Sequence, residues 1–271
     1  MNAPENIKDN YEEVIPGVYS GVPNDVYHAA EGISCSDIKE IDKSIEHYEH
    51  RSQFEMKQSD AMLVGSALHD RVLLPNTYRT HYVVSPVKTK TAKAYHAYVN
   101  EHPDKDVLMP QMVENIDSMY DALYRNPTIR DILEQDTILR EVSIWVRDTI
   151  TGLILKVRPD IIVNNVCYDI KTTSGDVSPR GFISNVFKYK YHVQSPYYLD
   201  ALSLNGMSIT EFKFLVVGSV PPYSTAIYDL NEDLMAEGRL IYRNALNRYG
   251  NYILGLDTWA GLMHGRETVT L

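Results

Sequence analysis

The stretch "RPDIIVNNVCYDIKTTS", residues 158–174, combines two short apolar runs with two aspartates and a lysine. Asparagine tolerates positive φ, so Asn164 and Asn165 predict a tight hairpin between two strands. Side chains alternate along a strand, which places Asp169 and Lys171 on one face of the second strand. The hairpin therefore brings Asp160, Asp169 and Lys171 together at the end of adjacent strands.

The same alternation extends toward the N-terminus. "LREVSIWVRD" (139–148) has Val142, Ile144 and Val146 on one face and Glu141 on the other, which predicts a half-buried strand. "LILKVRPDIIV" (153–163) predicts one continuous second strand, and "VCYDIKT" predicts the third. One face of the second strand carries Ile154, Lys156, Arg158, Asp160 and Ile162.

Helical spacing of apolar residues flanks these strands. Helices are predicted from residue 36 onward and over 61–74, 111–124, 127–135 and 190–204, with a long final helix from about residue 231. Strands "EFKFLVVGSV" and "STAIYDL" separate the last two helices. This order predicts a mixed α/β fold. We expect residues 1–30 to form an N-terminal arm or irregular lead-in and residues 31–271 to form a single domain.

Composition narrows the class of protein. With 271 residues, 44% hydrophobic and 23% charged, the chain is typical of a soluble globular protein. A net charge of -10 argues against a surface coated for nucleic-acid binding, although positive charge can be confined to one channel. Two cysteines, Cys35 and Cys167, cannot by themselves hold an iron–sulfur cluster and suggest no disulfide framework. No apolar run approaches the roughly 20 residues that span a bilayer, and the start is polar, so we expect a cytoplasmic protein without a membrane partner.

Two carboxylates beside a lysine have a specific chemistry. Carboxylate oxygens are the ligands that hard divalent cations such as Mg²⁺ or Mn²⁺ prefer, and such a cation activates water and neutralises charge on a phosphate. The spacing of Asp160, Asp169 and Lys171 also occurs by chance, and charges at strand ends are usually solvated. Gln194 and Tyr198 lie four apart on one face of the helix that follows, where they can reach the same sheet edge.

The motifs "GSALHD", "VRPD", "YDIKT" and "YHVQSPYYLDAL" together resemble the RecB-like branch of the PD-(D/E)xK nucleases. More narrowly, "YHAAEGISCSDIKEIDKSIEHY" and "TKTAKAYHAYV" are similar to the exodeoxyribonuclease VIII-like nuclease domain of bacteria and their phages. The resemblance implies a restriction-endonuclease-like core, in which a mixed central β-sheet is flanked by helices, with a helical N-terminal part.

The resemblance also implies roles for particular residues. Asp160 and Asp169 would be catalytic metal-binding acids and Lys171 the catalytic lysine, while His69 and the backbone carbonyl of Ile170 would be further metal ligands. Gln194 and Tyr198 would complete the catalytic set by supporting the site and the DNA end.

Other charged residues leave alternatives open. Glu141 is either an acid for a second metal ion or a solvent-facing carboxylate at a strand edge. Lys88, Lys90, Lys93 and Arg158 are candidates for contact with the DNA backbone, although a run of charges is usually a solvated face.

The function that the resemblance implies is a Mg²⁺-dependent exodeoxyribonuclease, with Mn²⁺ as a substitute, that acts processively 5′ to 3′ on linear duplex DNA. Family members form rings around DNA and work beside a single-strand annealing protein in recombination, here in a bacterial host cell. Digestion polarity and ring formation depend on the resemblance alone. Two alternatives remain: a structure-specific or restriction-type endonuclease, and a non-catalytic module that binds DNA ends or a partner.

Overall fold

A computed structural model of the chain describes residues 15–54 and 58–262. A five-stranded sheet forms its centre and a three-stranded antiparallel sheet, the small sheet, lies beside it. In spatial order the central sheet contains β10 (Thr225–Tyr228), β9 (Glu211–Gly218), β8 (Val166–Thr173), β7 (Ile161–Val163) and β4 (Leu139–Arg140). The small sheet contains β1 (Gly17–Tyr19), β5 (Ser143–Arg147) and β6 (Ile154–Val157). A parallel pair consists of β2 (Tyr82–Val84) and β3 (Asp106–Leu108).

Helices cover both faces of the central sheet. They are α1 (Asn24–Ala29), α2 (Cys35–Lys43), α3 (Ile45–Glu49), α4 (Asp60–Leu73), α5 (Pro75–His81), α6 (Lys93–Glu101), α7 (Pro110–Arg125), α8 (Pro127–Leu133), α9 (Pro179–Lys188), α10 (Tyr191–Leu204) and α11 (Glu232–Ile253). Local sequence fixes several helix starts. Ser34 and Asp37 form a reciprocal capping box at α2, and the Ser59 hydroxyl accepts the Met62 N–H at α4.

Alternation along β8 divides the core into two layers. Cys167 packs in a cluster with α2, α9, α10 and α11, whereas Tyr168 and Ile170 pack in a second cluster with α4, α7 and α8. Because side chains alternate, Asp169 and Lys171 extend toward the layer of α2 and α10. β8 and β9 are parallel, and α9 and α10 connect them.

The structure confirms the mixed α/β fold and the tight hairpin. Asn164 and Asn165 have φ of 50° and 63°, and Val163 pairs with Val166 across the turn. Two positive φ values in a two-residue loop match the right-handed twist of the flanking strands.

The prediction of one continuous strand over residues 153–163 was wrong. The chain leaves the small sheet after Val157 and enters the central sheet at Ile161. Pro159 lies in the gap, and proline has no N–H to donate to a ladder. The predicted strand 139–148 is likewise divided into β4 and β5, and Glu141 at the break has φ of 51°.

The predicted lead-in over residues 1–30 lies outside the described residues up to residue 14. From residue 17 it contains β1, which pairs with β5, and α1. The buried Lys156 ammonium donates to the carbonyls of Tyr27, His28 and Ala30 at 3.1, 3.1 and 2.7 Å. These contacts join α1 to the small sheet, and the division of the chain at residue 30 stays a prediction. Among the helices of the described ranges, none has both the length and the apolar character to cross a bilayer.

Candidate active site

Two side chains hold Asp169 from opposite sides. Gln194 Nε2 donates to Asp169 Oδ1 at 2.6 Å, and Lys171 Nζ lies 2.6 Å from Asp169 Oδ2. Oδ2 is buried and accepts no hydrogen bond of ordinary geometry, so the Lys171 charge is what compensates it. Burial alone would lower the pKa of Lys171, but Asp169, Tyr191 and Asp160 together outweigh burial and the pKa rises to about 12. Lys171 is therefore a fixed positive charge at neutral pH and not a general base.

Asp160 lies at the start of β7, against the backbone of β8. Its Oδ2 accepts the N–H of Ile170 at 2.7 Å and lies 3.3 Å from His69 Nδ1. His69, on α4, places Nε2 2.8 Å from the Ile170 carbonyl oxygen. A carbonyl only accepts, so Nε2 donates to it and Nδ1 faces the Asp160 carboxylate. Burial raises the pKa of Asp160.

Glu141 completes a compact group with His69 and Asp160. Ligand atoms of the three residues lie within 4.8 Å of one another. The left-handed backbone of Glu141 is unusual for a residue with a side chain, and its N–H donates to the Asp160 carbonyl at 3.1 Å. Burial and the neighbouring Asp160 raise the pKa of Glu141. The side chain is half-buried and not a solvated strand edge, and a role in holding a second metal ion stays a prediction.

This donor set fits a hard divalent cation. The group has two carboxylates whose pKa values are raised by burial and, to a lesser extent, by neighbouring carboxylates, and a bound cation would relieve that cost. His69, Glu141 and Asp160 would hold the cation, and the Ile170 carbonyl lies beside them. Asp169 is not in this group, since Gln194 and Lys171 hold its carboxylate. Its predicted role as a direct ligand stays a prediction.

A cavity of about 580 Å³ leads to the acids. Glu141, Asp160 and Tyr198 line it from the site, and Arg51 and Arg158 line it too. Tyr198, on α10, thus faces the same space as the acids. The Arg158 guanidinium donates hydrogen bonds to three oxygens of the protein: Val22 O, Asn24 Oδ1 and Ser143 Oγ.

The three lysines predicted to contact DNA lie near the start of α6. Lys88 and Lys93 are exposed, and Lys90 forms an ion pair with Asp60 on α4. The structure does not bring them into the group of acids, and their contact with DNA stays a prediction.

Two residues near the site were not predicted from the sequence. Tyr191, the first residue of α10, places its ring centroid 4.7 Å from Lys171 Nζ. Lys39, on α2, lies 6.0 Å from the same centroid, and burial lowers its pKa. Tyr191 precedes Gln194 by three residues and was detectable within the quoted motif, whereas a lysine inside the amphipathic α2 gives no such signal.

A mixed sheet with two acids and a lysine at adjoining strand ends, supported by a glutamine from α10, defines a domain of the PD-(D/E)xK nuclease class. The chain belongs to the family described as a PDDEXK-like domain of unknown function (DUF3799), which matches residues 34–255.

Solved structures agree with this fold. The chain is similar to a protein named as a candidate exonuclease from Eubacterium rectale, with a TM-score of 0.58 and 13% identity over 89% of each chain. At that identity the likeness shows the fold alone. SSO0001 matches with a TM-score of 0.29 and 16% identity, over 73% of this chain and 89% of its own. LHK-Exo, solved with dAMP, matches with a TM-score of 0.24 and 14% identity, over 70% and 91%. These two scores are too low for an argument, and no curated protein matches the chain.

Proposed function

We propose that this protein is a metal-dependent DNA exonuclease that hydrolyses phosphodiester bonds from the 5′ ends of linear duplex DNA. The observation that carries the proposal is the juxtaposition of a cation-binding group, His69, Glu141 and Asp160, with a lysine held in its charged form by Asp169. Phosphodiester hydrolysis needs both a clamp for the phosphate and compensation of the charge that develops on it.

The residues of the site have separate roles in the proposed hydrolysis. A bound divalent cation would supply Lewis-acid polarisation of the phosphate and a water of lowered pKa. Lys171 presents a permanent charge to the phosphate oxygens and stabilises the transition state electrostatically. Gln194 fixes the orientation of Asp169, and Asp169 in turn fixes the Lys171 ammonium. Gln194 is therefore a positioning residue that acts through Asp169.

Action from DNA ends, and not on internal bonds, rests on the sequence resemblance to the exodeoxyribonuclease VIII-like domain. The Eubacterium rectale protein, which shares the fold, is itself named as a candidate exonuclease. We further propose Mg²⁺ as the natural ion with Mn²⁺ as a substitute, a homo-oligomeric ring around the DNA, and a single-strand annealing protein as a partner in phage-type recombination in the bacterial cytoplasm. A ring would reconcile the net charge of -10 with DNA binding, because only the channel must be positive.

The test uses linear duplex DNA labelled at the 5′ or the 3′ ends and a covalently closed circle, each with Mg²⁺ or with chelator. We expect Mg²⁺-dependent loss of the 5′ label as mononucleotides, an intact circle, and hydrolysis reduced by roughly 10²- to 10³-fold in Lys171→Ala. Lys213→Ala is the matched control, because Lys213 lies on the neighbouring strand β9 and pairs with Glu211 at 2.6 Å, as Lys171 does with Asp169.

Each of the other results would assign this protein a different function or assembly. Cutting of the circle would make it an endonuclease, and release of the 3′ label would reverse the polarity. Absence of hydrolysis with Mg²⁺ would favour a binding module. A strict monomer in small-angle scattering at micromolar concentration would remove the ring.

A further inference from the structure

Residues 187–191, the FKYKY segment, alternate aromatic rings and lysines across the junction from the end of α9 to the start of α10. Phe187 is 49% exposed and Tyr189 is 46% exposed. Within residues 15–54 and 58–262, Tyr189 is the one tyrosine that the fold leaves exposed. About half of the surface of each of these two aromatic residues stays open to solvent, so the pair is available to a ligand.

The segment is joined to the candidate active site through Tyr191. The rings of Tyr189 and Tyr191 stack with centroids 5.6 Å apart and planes 28° apart. Tyr191 also contacts the Lys171 ammonium, which lies 4.7 Å from the ring centroid. A single ring therefore separates the exposed Tyr189 from the charge that faces the phosphate.

The backbone holds Tyr189 in this position. Lys190 between the two tyrosines has φ of 54°, in the left-handed region that disfavours side chains. Its ammonium forms an ion pair with Asp42 on α2, which ties the turn to the body of the protein. The stack thus exists before any ligand arrives, and a preformed platform loses less entropy on binding.

Charge near the platform suits a polyanion. Lys188 is exposed, its Nζ lies 5.0 Å from the centroid of Tyr189, and within the described ranges it forms no ion pair. Stacking on an aromatic ring with a cation beside it is the recurrent way in which proteins bind unpaired nucleotides.

We propose that Tyr189 is a stacking site for an unpaired nucleobase at the DNA end, with Lys188 on the adjoining phosphate. The proposal deepens the proposed nuclease function and rests on it. A nucleotide advances along a duplex strand by about 3.4 Å, so a base on Tyr189 lies a few nucleotides from the phosphate at Lys171. A base must leave its duplex neighbours before a ring can stack on it, so the site favours frayed or single-stranded ends over paired ones.

The test measures binding in chelator, where the DNA is not cut. The probe is duplex DNA with a short single-stranded 5′ end that carries 2-aminopurine, read by anisotropy and by the quenching of 2-aminopurine on stacking. Tyr189→Ala should bind roughly 5- to 150-fold more weakly and lose the quenching. Tyr189→Phe keeps the ring and should restore both signals.

The matched control is Tyr124→Ala, which removes a half-buried tyrosine from α7, on the opposite face of the sheet. It should bind as the wild type does. Lys188→Ala should lower the slope of log affinity against log salt by roughly 0.7, the share of one phosphate on a single strand.

The outcomes separate this site from the proposed function. Unchanged binding and quenching in Tyr189→Ala, or equal losses in Tyr189→Phe and Tyr189→Ala, overturn the stacking site, even if the wild type hydrolyses DNA. Failure of the wild type to bind the probe overturns it as well. Loss confined to Tyr189→Ala, in a protein that hydrolyses no DNA, keeps the stacking site and removes the nuclease.

Discussion

Replacing Gln194 by methionine tests whether the glutamine positions the acid that controls the catalytic lysine. Methionine keeps the length of the side chain but removes the Nε2 donor, 2.6 Å from Asp169 Oδ1. A hydrogen bond to a charged group contributes about 1.5–3 kcal/mol, and here the abandoned oxygen is buried. We expect that loss in the free energy of unfolding, with a fall in melting temperature of roughly 3–12 °C for a chain of this size.

Activity should fall as well. Without Gln194, only Lys171 holds the Asp169 carboxylate, so both can turn away from the phosphate. Loss of an outer partner of this kind lowers activity by about 10- to 100-fold. Because Gln194 contacts no reacting group, the fall should appear in kcat and not in KM for DNA.

The matched control is Gln135→Met. Gln135 donates to the Asp131 carbonyl at 2.9 Å, but on the exposed C-terminal side of α8. Urea unfolding of the wild type and both variants at pH 8, with chelator, gives the comparison. If Gln194→Met costs no more stability than Gln135→Met, the buried contact does not orient Asp169 and the positioning argument fails.

Three further predictions concern the charges around the site. Lys171→Ala should reduce hydrolysis by roughly 10²- to 10³-fold, while DNA binding in chelator changes far less, and parallel loss of both would mean that Lys171 mainly binds DNA. Asp160→Asn should stabilise the metal-free protein at pH 8. Burial raises the pKa of Asp160, so its contribution is full below the ordinary aspartate pKa of about 4 and lost as pH rises through the raised value. Urea midpoints from pH 4 to pH 8 should decline less in the variant, and Mg²⁺ should raise the melting temperature of the wild type alone. Equal pH profiles would contradict this account. Deletion of residues 1–30 should cost about 3–5 kcal/mol in urea unfolding, because it strips the buried Lys156 ammonium of three carbonyl acceptors. A deleted protein of full stability would show that this segment is dispensable.

Local chemistry explains what the sequence could predict of the fold. Two asparagines with positive φ were enough for the β7–β8 hairpin, and alternation was enough to place Asp169 and Lys171 on one face. The strand break at Pro159 also had a local signal, since proline interrupts a ladder, but the apolar pattern across it favoured one strand. The break at Glu141 had none, because nothing in the sequence marks a left-handed glutamate.

The candidate site was harder to predict, because its parts come from distant segments. Motif resemblance selected His69, Asp160 and Gln194, but the partner of each depends on tertiary packing. That is why Glu141, not Asp169, groups with His69 and Asp160, and why Lys39 went unnoticed.

Glu141 and Asp160 each lie where the chain passes from one sheet to the other. The distance between their carboxylates is therefore set by how the two sheets pack, and not by the fixed rise along a single strand. Magnesium requires oxygens at about 2.0–2.1 Å, whereas calcium accepts about 2.3–2.6 Å, so a shift of a few tenths of an ångström decides between them. Selection between the two ions would then depend on how the central sheet and the small sheet pack against each other, and not on the two acids alone.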